Sequence, residues 1–157
     1  MVDPALDRIN KLTEQSYPLV YFETLRSVHI VELFKNLSLC SSKAIYHWQP
    51  DTGMYRMDAN HIMIPRTIDP EDVLNTIESM AHFGIFVLTG FDEHVENRKI
   101  VSILKKVAES HNTKPKMIIL LGSKINIPDD LRPVVAHIRH TMRSSNSSAS
   151  ASEQKTG

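Results

Sequence analysis

Glycine is scarce in this sequence and cysteine almost absent. Its 157 residues hold five glycines, none before Gly53, and a single cysteine, Cys40. One thiol excludes an intramolecular disulfide and a cysteine-based zinc site, so a disulfide-stapled secreted scaffold is ruled out. An excess of one charge sign is also missing, because 18 Lys plus Arg balance 18 Asp plus Glu. A protein that neutralises several phosphates or lies on an anionic membrane ordinarily carries a basic surplus, so the balance argues against nucleic-acid and membrane partners. No apolar run approaches the roughly 18 residues of a membrane span, and the acidic start Met1-Val2-Asp3-Pro4-Ala5-Leu6-Asp7 lacks the pattern of a signal peptide. These absences together predict a cytoplasmic protein.

What is present is enough for one core, with 41% hydrophobic residues on a chain of single-domain length. Residues 1–143 are read as one α/β domain. Residues 144–157, with six serines and no large apolar side chain, form a tail that cannot bury enough surface to offset its ordering entropy, and they are expected to be disordered. Residues 1–15 predict an N-terminal helix with Leu6, Ile9 and Leu12 on one face.

Beyond it, short apolar runs alternate with helical stripes. Pro18 to Phe22 is followed by a helix from Ser27 to Leu39 with Val28, Val31, Phe34 and Leu37 as its stripe. Ala44 to Trp48 is the second strand candidate. Asp69 as N-cap, Pro70 at the first helical position and the acids Glu71 and Asp72 start the next helix, with Val73, Ile77, Met80 and Ala81 buried. Gly84 to Leu88 and Met117 to Leu121 are apolar at nearly every position, the pattern of strands covered on both faces. Between them Ile100, Ile103, Leu104, Val107 and Ala108 mark an amphipathic helix. Residues 134–142 fit a fifth strand or a helix continuation, which spacing does not separate. The pattern predicts a three-layer α/β sandwich with a mostly parallel five-stranded sheet. Residues 47–67 are an insertion, either a functional loop or an added sheet edge, in which Met54–Met57 and Ile62–Ile64 form a candidate hairpin.

In such a sheet the functional crevice lies beyond the carboxyl ends of the strands. After the first strand come Glu23-Thr24-Leu25-Arg26-Ser27, where a triphosphatase would carry a glycine-rich loop ending in Lys-Ser or Lys-Thr. Its glycines let consecutive amides face the phosphates, and none is present here. Thr24 and Ser27 can instead cap the following helix. Asp92 and Glu93 follow the third strand, where an acidic pair could hold magnesium or simply open the next helix. Ser123 and Lys124 follow the fourth, and Lys124 could meet an anion or stand in solvent. His137 and His140 share a face only on a helix, and no metal site is expected. Cys40 has no neighbouring base, and a buried, inert thiol is expected. Arg132, Arg139 and Arg143, with His137 and His140, form a basic patch without interleaved aromatics, a solvated or partner-facing surface.

The runs Tyr17-Pro18-Leu19-Val20-Tyr21-Phe22-Glu23-Thr24, Ile85-Phe86-Val87-Leu88-Thr89-Gly90-Phe91 and Lys116 to Ser123, with Ile127-Pro128-Asp129-Asp130-Leu131, resemble the N-terminal region of AAA+ ATPases of the chloroplast hypothetical open-reading-frame type. The resemblance spans about residues 12–142. It implies a degenerate P-loop-NTPase-like domain without a phosphate loop, standing apart from a complete AAA+ module. Ser123 or Lys124 holds the place of the sensor asparagine, so no catalytic residue carries over. The expectation is a non-catalytic interaction or regulatory domain without cofactor, pairing with an AAA+ ATPase or with itself as a homodimer. The alternative is a nucleotide or anion binder that uses Thr24, Ser27, Asp92, Glu93 and Lys124 and is completed by a second subunit. A small enzyme, a third possibility, would need two titratable groups in contact within one pocket.

Overall fold

The computed structural model describes residues 4–15 and 17–140, so the expected serine-rich tail lies outside the described residues. In chain order the elements are α1 (Pro4–Gln15), β1 (Leu19–Thr24), α2 (Ser27–Cys40), β2 (Ile45–Gln49), β3 (Gly53–Arg56), β4 (Ala59–Met63), α3 (Pro70–Ser79), β5 (Ile85–Thr89), α4 (Arg98–Glu109), β6 (Met117–Gly122) and β7 (Val135–His140). The last strand is entered through a 3-10 turn at Arg132–Val134. No helix among the described residues is long and apolar enough to cross a membrane.

Among the described residues one sheet holds seven strands, not five, in the order β4-β3-β2-β5-β6-β1-β7. Five of them, β2, β5, β6, β1 and β7, run parallel. The other two are the hairpin of the 47–67 segment, which joins the β2 edge antiparallel, the added edge of the two expected alternatives. The hairpin joins because its inner strand can bury Met54 and complete the ladder with Tyr46 to Gln49. Segment 135–140 is a strand, pairing residue for residue with Leu19–Thr24. His137 and His140 therefore point to opposite faces.

Alternation along the strands feeds two cores. Leu19, Tyr21, Phe86, Leu88, Ile118 and Leu120 pack under α3 and α4. Val20, Phe22, Ile85, Val87, Ile119 and Leu121 pack under α1 and α2. Strands buried on both sides read as continuous apolar runs because every position faces a helix.

Helix faces differ in detail from their expected stripes. In α2 the buried positions are Ile30, Leu33, Phe34 and Ser38, and Val28 is 80% exposed. Ile30, Leu33, Phe34 and Leu37 make the i, i+3, i+4, i+7 series, which fits a broad sheet better than the series through Val28. In α1 the buried face is Ala5, Ile9 and Leu12, with Leu6 only half-buried. The helix α3 ends at Ser79, so Met80 is its C-cap and Ala81 is exposed. Its start is as expected, since the Asp69 carboxylate accepts from the Glu71 and Asp72 amides with Pro70 next in line. Cys40 is exposed rather than buried, because it ends α2 on the side away from the sheet.

The hairpin is fastened to the parallel sheet by a buried polar chain. Thr89 donates its hydroxyl hydrogen to the Trp48 carbonyl at 3.0 Å, so toward His47 it can only accept. His47 Nε2 therefore carries the hydrogen given to Thr89 Oγ1 at 3.1 Å, and Nδ1 accepts from the Tyr55 hydroxyl at 2.7 Å. One neutral imidazole thus ties β2, β3 and β5 together. Burial lowers its pKa to about 4 from an ordinary 6.5.

The unfolded histidine takes up its proton near pH 6.5 and the folded one only near 4, so between these values unfolding is favoured by protonation. Stability from this group is complete above pH 6.5 and lost as pH falls through that window, by up to about 3 kcal/mol. Urea unfolding at pH 7 and pH 4.5 checks this. His47→Gln is expected to flatten the pH dependence across that interval relative to wild type.

Candidate functional site

The strand order fixes where a crevice opens. After β1 the chain turns to α2 on one face, whereas after β6 it turns to Ile125 and Leu131 on the other. Neighbouring strands whose connections leave to opposite faces leave a gap between their carboxyl ends. At this switch point lies an open cleft of about 470 Å³ lined by residues 24–29 and Ser123.

The turn that forms its floor is short. β1 ends at Thr24 and α2 begins at Ser27, leaving Leu25 and Arg26 between them. The buried Thr24 hydroxyl accepts from the Arg26 amide at 2.9 Å and lies 2.9 Å from His140 Nδ1. No residue from 24 to 29 adopts a left-handed backbone conformation, so the turn lacks the alternation that makes a concave nest of amides. Arg26 is the N-cap of α2 and provides no side-chain cap. Capping by Thr24 thus reaches only the Arg26 amide, short of the helix proper.

Of the other candidates, Ser27 lines the same cleft, in the first turn of α2. Asp92, Glu93 and Lys124 are not among its lining residues. Asp92 leans toward Gly122, where its Oδ1 comes within 3.6 Å of the position a Cβ would take. Glu93 and Lys124 are exposed. The acidic pair does not open the next helix, because α4 starts at Arg98 with Asn97 as its cap. Residues 91–97 instead form turns closed by His94 N to Phe91 O and Asn97 N to His94 O, which hold the acids before the helix. The structure thus brings Thr24 and Ser27 together with Ser123 and leaves the two acids and the lysine outside.

Two clusters of titratable groups arise from pairings across the sheet. One is the His47 chain described above. The other lies on the opposite face of β1 and β7, where Glu23 Oε1 is 2.7 Å from His137 Nε2 and accepts from Arg139 Nε at 3.2 Å. Partial burial works against the Glu23 charge, but the hydrogen bonds from His137 and Arg139 outweigh it and hold the carboxyl below its ordinary value. Tyr21 stacks on His137 with ring centres 4.7 Å apart and accepts the Ile125 amide at 3.1 Å. Neither cluster lines the cleft. The expected basic patch is in large part paired, since Arg132 meets Asp129 at 3.1 Å and Arg139 meets Glu23; Arg143 lies outside the described residues. Among the described residues no three His, Cys, Asp or Glu side chains form a group that could hold a metal ion. The parallel register between β1 and β7 creates the Glu23 cluster, and residues 114 positions apart gave no local signal of it.

Further clefts of about 750 and 540 Å³ lie beside α4 and at the start of α3. The first is lined by Arg98 and Lys105 facing Glu96, Asp129 and Asp130, the second by Asp51, Arg66, Asp72 and His94 around Trp48.

A family model described as the N-terminal domain of SpoVK-like AAA ATPases matches residues 5–140. The chain is 24% identical over 139 residues to an "Uncharacterized AAA domain-containing protein ycf46" of Trieres chinensis, covering 87% of this chain and 28% of that protein. It is 25% identical over 130 residues to a protein of the same description from Pyropia yezoensis, covering 81% and 26%. The chain therefore spans about a quarter of the length of these relatives.

Thr24→Val removes an acceptor from a buried site and is expected to cost about 1–3 kcal/mol, read as a fall of several degrees in the thermal midpoint. Lys124→Ala, on an exposed loop, is expected to stay within about 0.5 kcal/mol of wild type in the same melt.

Proposed function

The chain belongs to the family of SpoVK-like AAA ATPase N-terminal domains, and on that premise we propose that it is a non-catalytic interaction or regulatory domain that acts with an AAA ATPase module. The observation that carries this is the β1–α2 turn. A phosphate loop needs a run of about eight residues with two glycines and a lysine between strand and helix. Here two residues, Leu25 and Arg26, make the connection, and the Arg26 amide is already given to Thr24. An ATPase-like architecture is kept at the place where the phosphate contacts would be made, while the groups that make them are missing.

A partner surface is available beside the same turn. Leu25 and Val28 are each 80% exposed at the rim of the cleft, an apolar pair that water solvates poorly and that a protein neighbour would cover. The AAA domain named in both relatives is the natural candidate for that neighbour. The second reading, a nucleotide or anion held by Thr24, Ser27, Asp92, Glu93 and Lys124 with help from another subunit, draws on the position of the cleft at the switch point. It asks a second chain to add positive charge to a cleft lining in which Arg26 is the one Lys or Arg.

Isothermal titration with ATP and magnesium, at protein concentrations spanning monomer and any assembly, distinguishes them. The interaction reading predicts no saturable heat and no phosphate release. Micromolar binding that appears only in the assembled protein would favour the second reading, and binding with turnover would overturn the first. With an AAA module from the same cell, Leu25→Ser with Val28→Ser is expected to weaken co-purification at least tenfold while leaving the thermal midpoint near wild type.

A further inference from the structure

Four described residues have a left-handed backbone, Asp51 (φ 66°), Arg66 (φ 59°), Gly53 (φ 94°) and Gly90 (φ 75°), and all four gather around one cleft. Asp51 and Arg66 line this cleft of about 540 Å³ themselves. Pro50, also in the lining, comes within 2.6 Å of the position a Cβ on Gly90 would take, and Ile68 within 3.3 Å of the same position on Gly53. Glycine takes this conformation at no steric cost and aspartate tolerates it, whereas an arginine there is strained. Strain held at the rim of a cleft leads from backbone geometry to a ligand.

Position and lining agree with that reading. The cleft lies where the parallel strands β2 and β5 end, the side of an open α/β sheet on which ligands bind. Trp48, Pro50 and the exposed Ile68 give it apolar surface. Three separate segments bring charge to it: Asp51 from the β2–β3 turn, Arg66 from the connection between β4 and α3, and Asp72 from the first turn of α3. None of these three side chains makes an ion pair or a hydrogen bond with a described residue. Asp69 lines the cleft as well, but its carboxylate is committed to the Glu71 and Asp72 amides. A simple anion here would meet Asp51 and Asp72, and a simple cation would meet Arg66. A molecule that carries both charges and an apolar part satisfies the whole lining.

We propose that this cleft binds a free α-amino acid with an apolar side chain, its carboxylate on Arg66, its ammonium group on Asp51 and Asp72, and its side chain against Pro50, Ile68 and Trp48. The volume is within the range of small-molecule sites. The site goes beyond the interaction reading and shares no lining residue with the cleft at the β1–α2 turn, so either can fail without the other.

Trp48 is the one tryptophan of the chain and therefore reports on its own cleft. Titration of L-leucine or L-methionine into the full chain is expected to give a saturable change in its fluorescence, with the amide chemical shifts of residues 51, 66, 68 and 72 moving in step. Leucinamide and N-acetyl-leucine, each lacking one of the two charges, should bind about tenfold or more weakly than leucine. Asp51→Asn and Arg66→Gly both place a residue suited to the left-handed backbone, so each should weaken leucine binding by about tenfold or more without lowering the thermal midpoint. The absence of a saturable response in fluorescence and shifts up to about 10 mM leucine, a concentration that even a weak site would fill, would overturn the proposal. Equal binding of the two capped derivatives, or leucine binding untouched by either substitution, would overturn it as well.

Discussion

The insertion of β1 between β6 and β7 is the constraint on which the rest of this molecule depends. The first strand of the sequence pairs on one side with Ile118–Gly122 and on the other with Val135–His140, partners about a hundred residues downstream. Leu19 and Tyr21 go to one core and Val20 and Phe22 to the other, so this strand completes both helical layers at once. Such a strand cannot be stabilised by its sequence neighbours. Long-range pairing with buried apolar side chains on both faces must offset the entropy of closing the whole chain around it.

That insertion also creates the cleft. With β1 leaving toward α2 and β6 leaving toward Ile125, their carboxyl ends must separate, whatever chemistry the loops provide. Architecture and site are thus separable in this family member. The crevice is dictated by topology, whereas phosphate binding would be dictated by a few glycines and a lysine in one turn. The turn here is closed by Thr24 on the Arg26 amide. On the proposed reading it is a structural corner, and Leu25 and Val28 are presented outward.

How much of this is legible in the sequence follows from which interactions are local. The parallel strands are visible as apolar runs because both faces are covered, and the start of α3 is visible because Asp69, Pro70, Glu71 and Asp72 act within one turn. The missing phosphate loop is equally local. The seven-strand count is hidden, since hairpin strands of four and five residues carry no signal of which edge they join. The strand at 135–140 is ambiguous for a related reason: its outer faces are half-exposed and its pattern is set by β1, far away in sequence. The stripes of α1 and α2 are right at Ile9, Leu12 and Phe34 and wrong at Val28, which is exposed, because several overlapping stripes are apolar and only the sheet decides among them. Asp92, Glu93 and Lys124 sit just after strands, but the loops that carry them turn toward the face of α3 and α4, whereas the β1–α2 turn leaves to the other. The His47 chain and the Glu23 cluster come from register, which residue spacing along a single strand does not encode.

On the proposed reading the β1–α2 turn does not receive phosphate. Backbone amide chemical shifts of the folded protein, followed while ATP and magnesium are added to millimolar concentration, probe that turn residue by residue. If the turn does not hold phosphate, the amides of residues 25–29 and Ser123 stay in place. Saturable shifts confined to those amides would contradict it, because they would show that the turn still holds a phosphate without the loop that ordinarily does so.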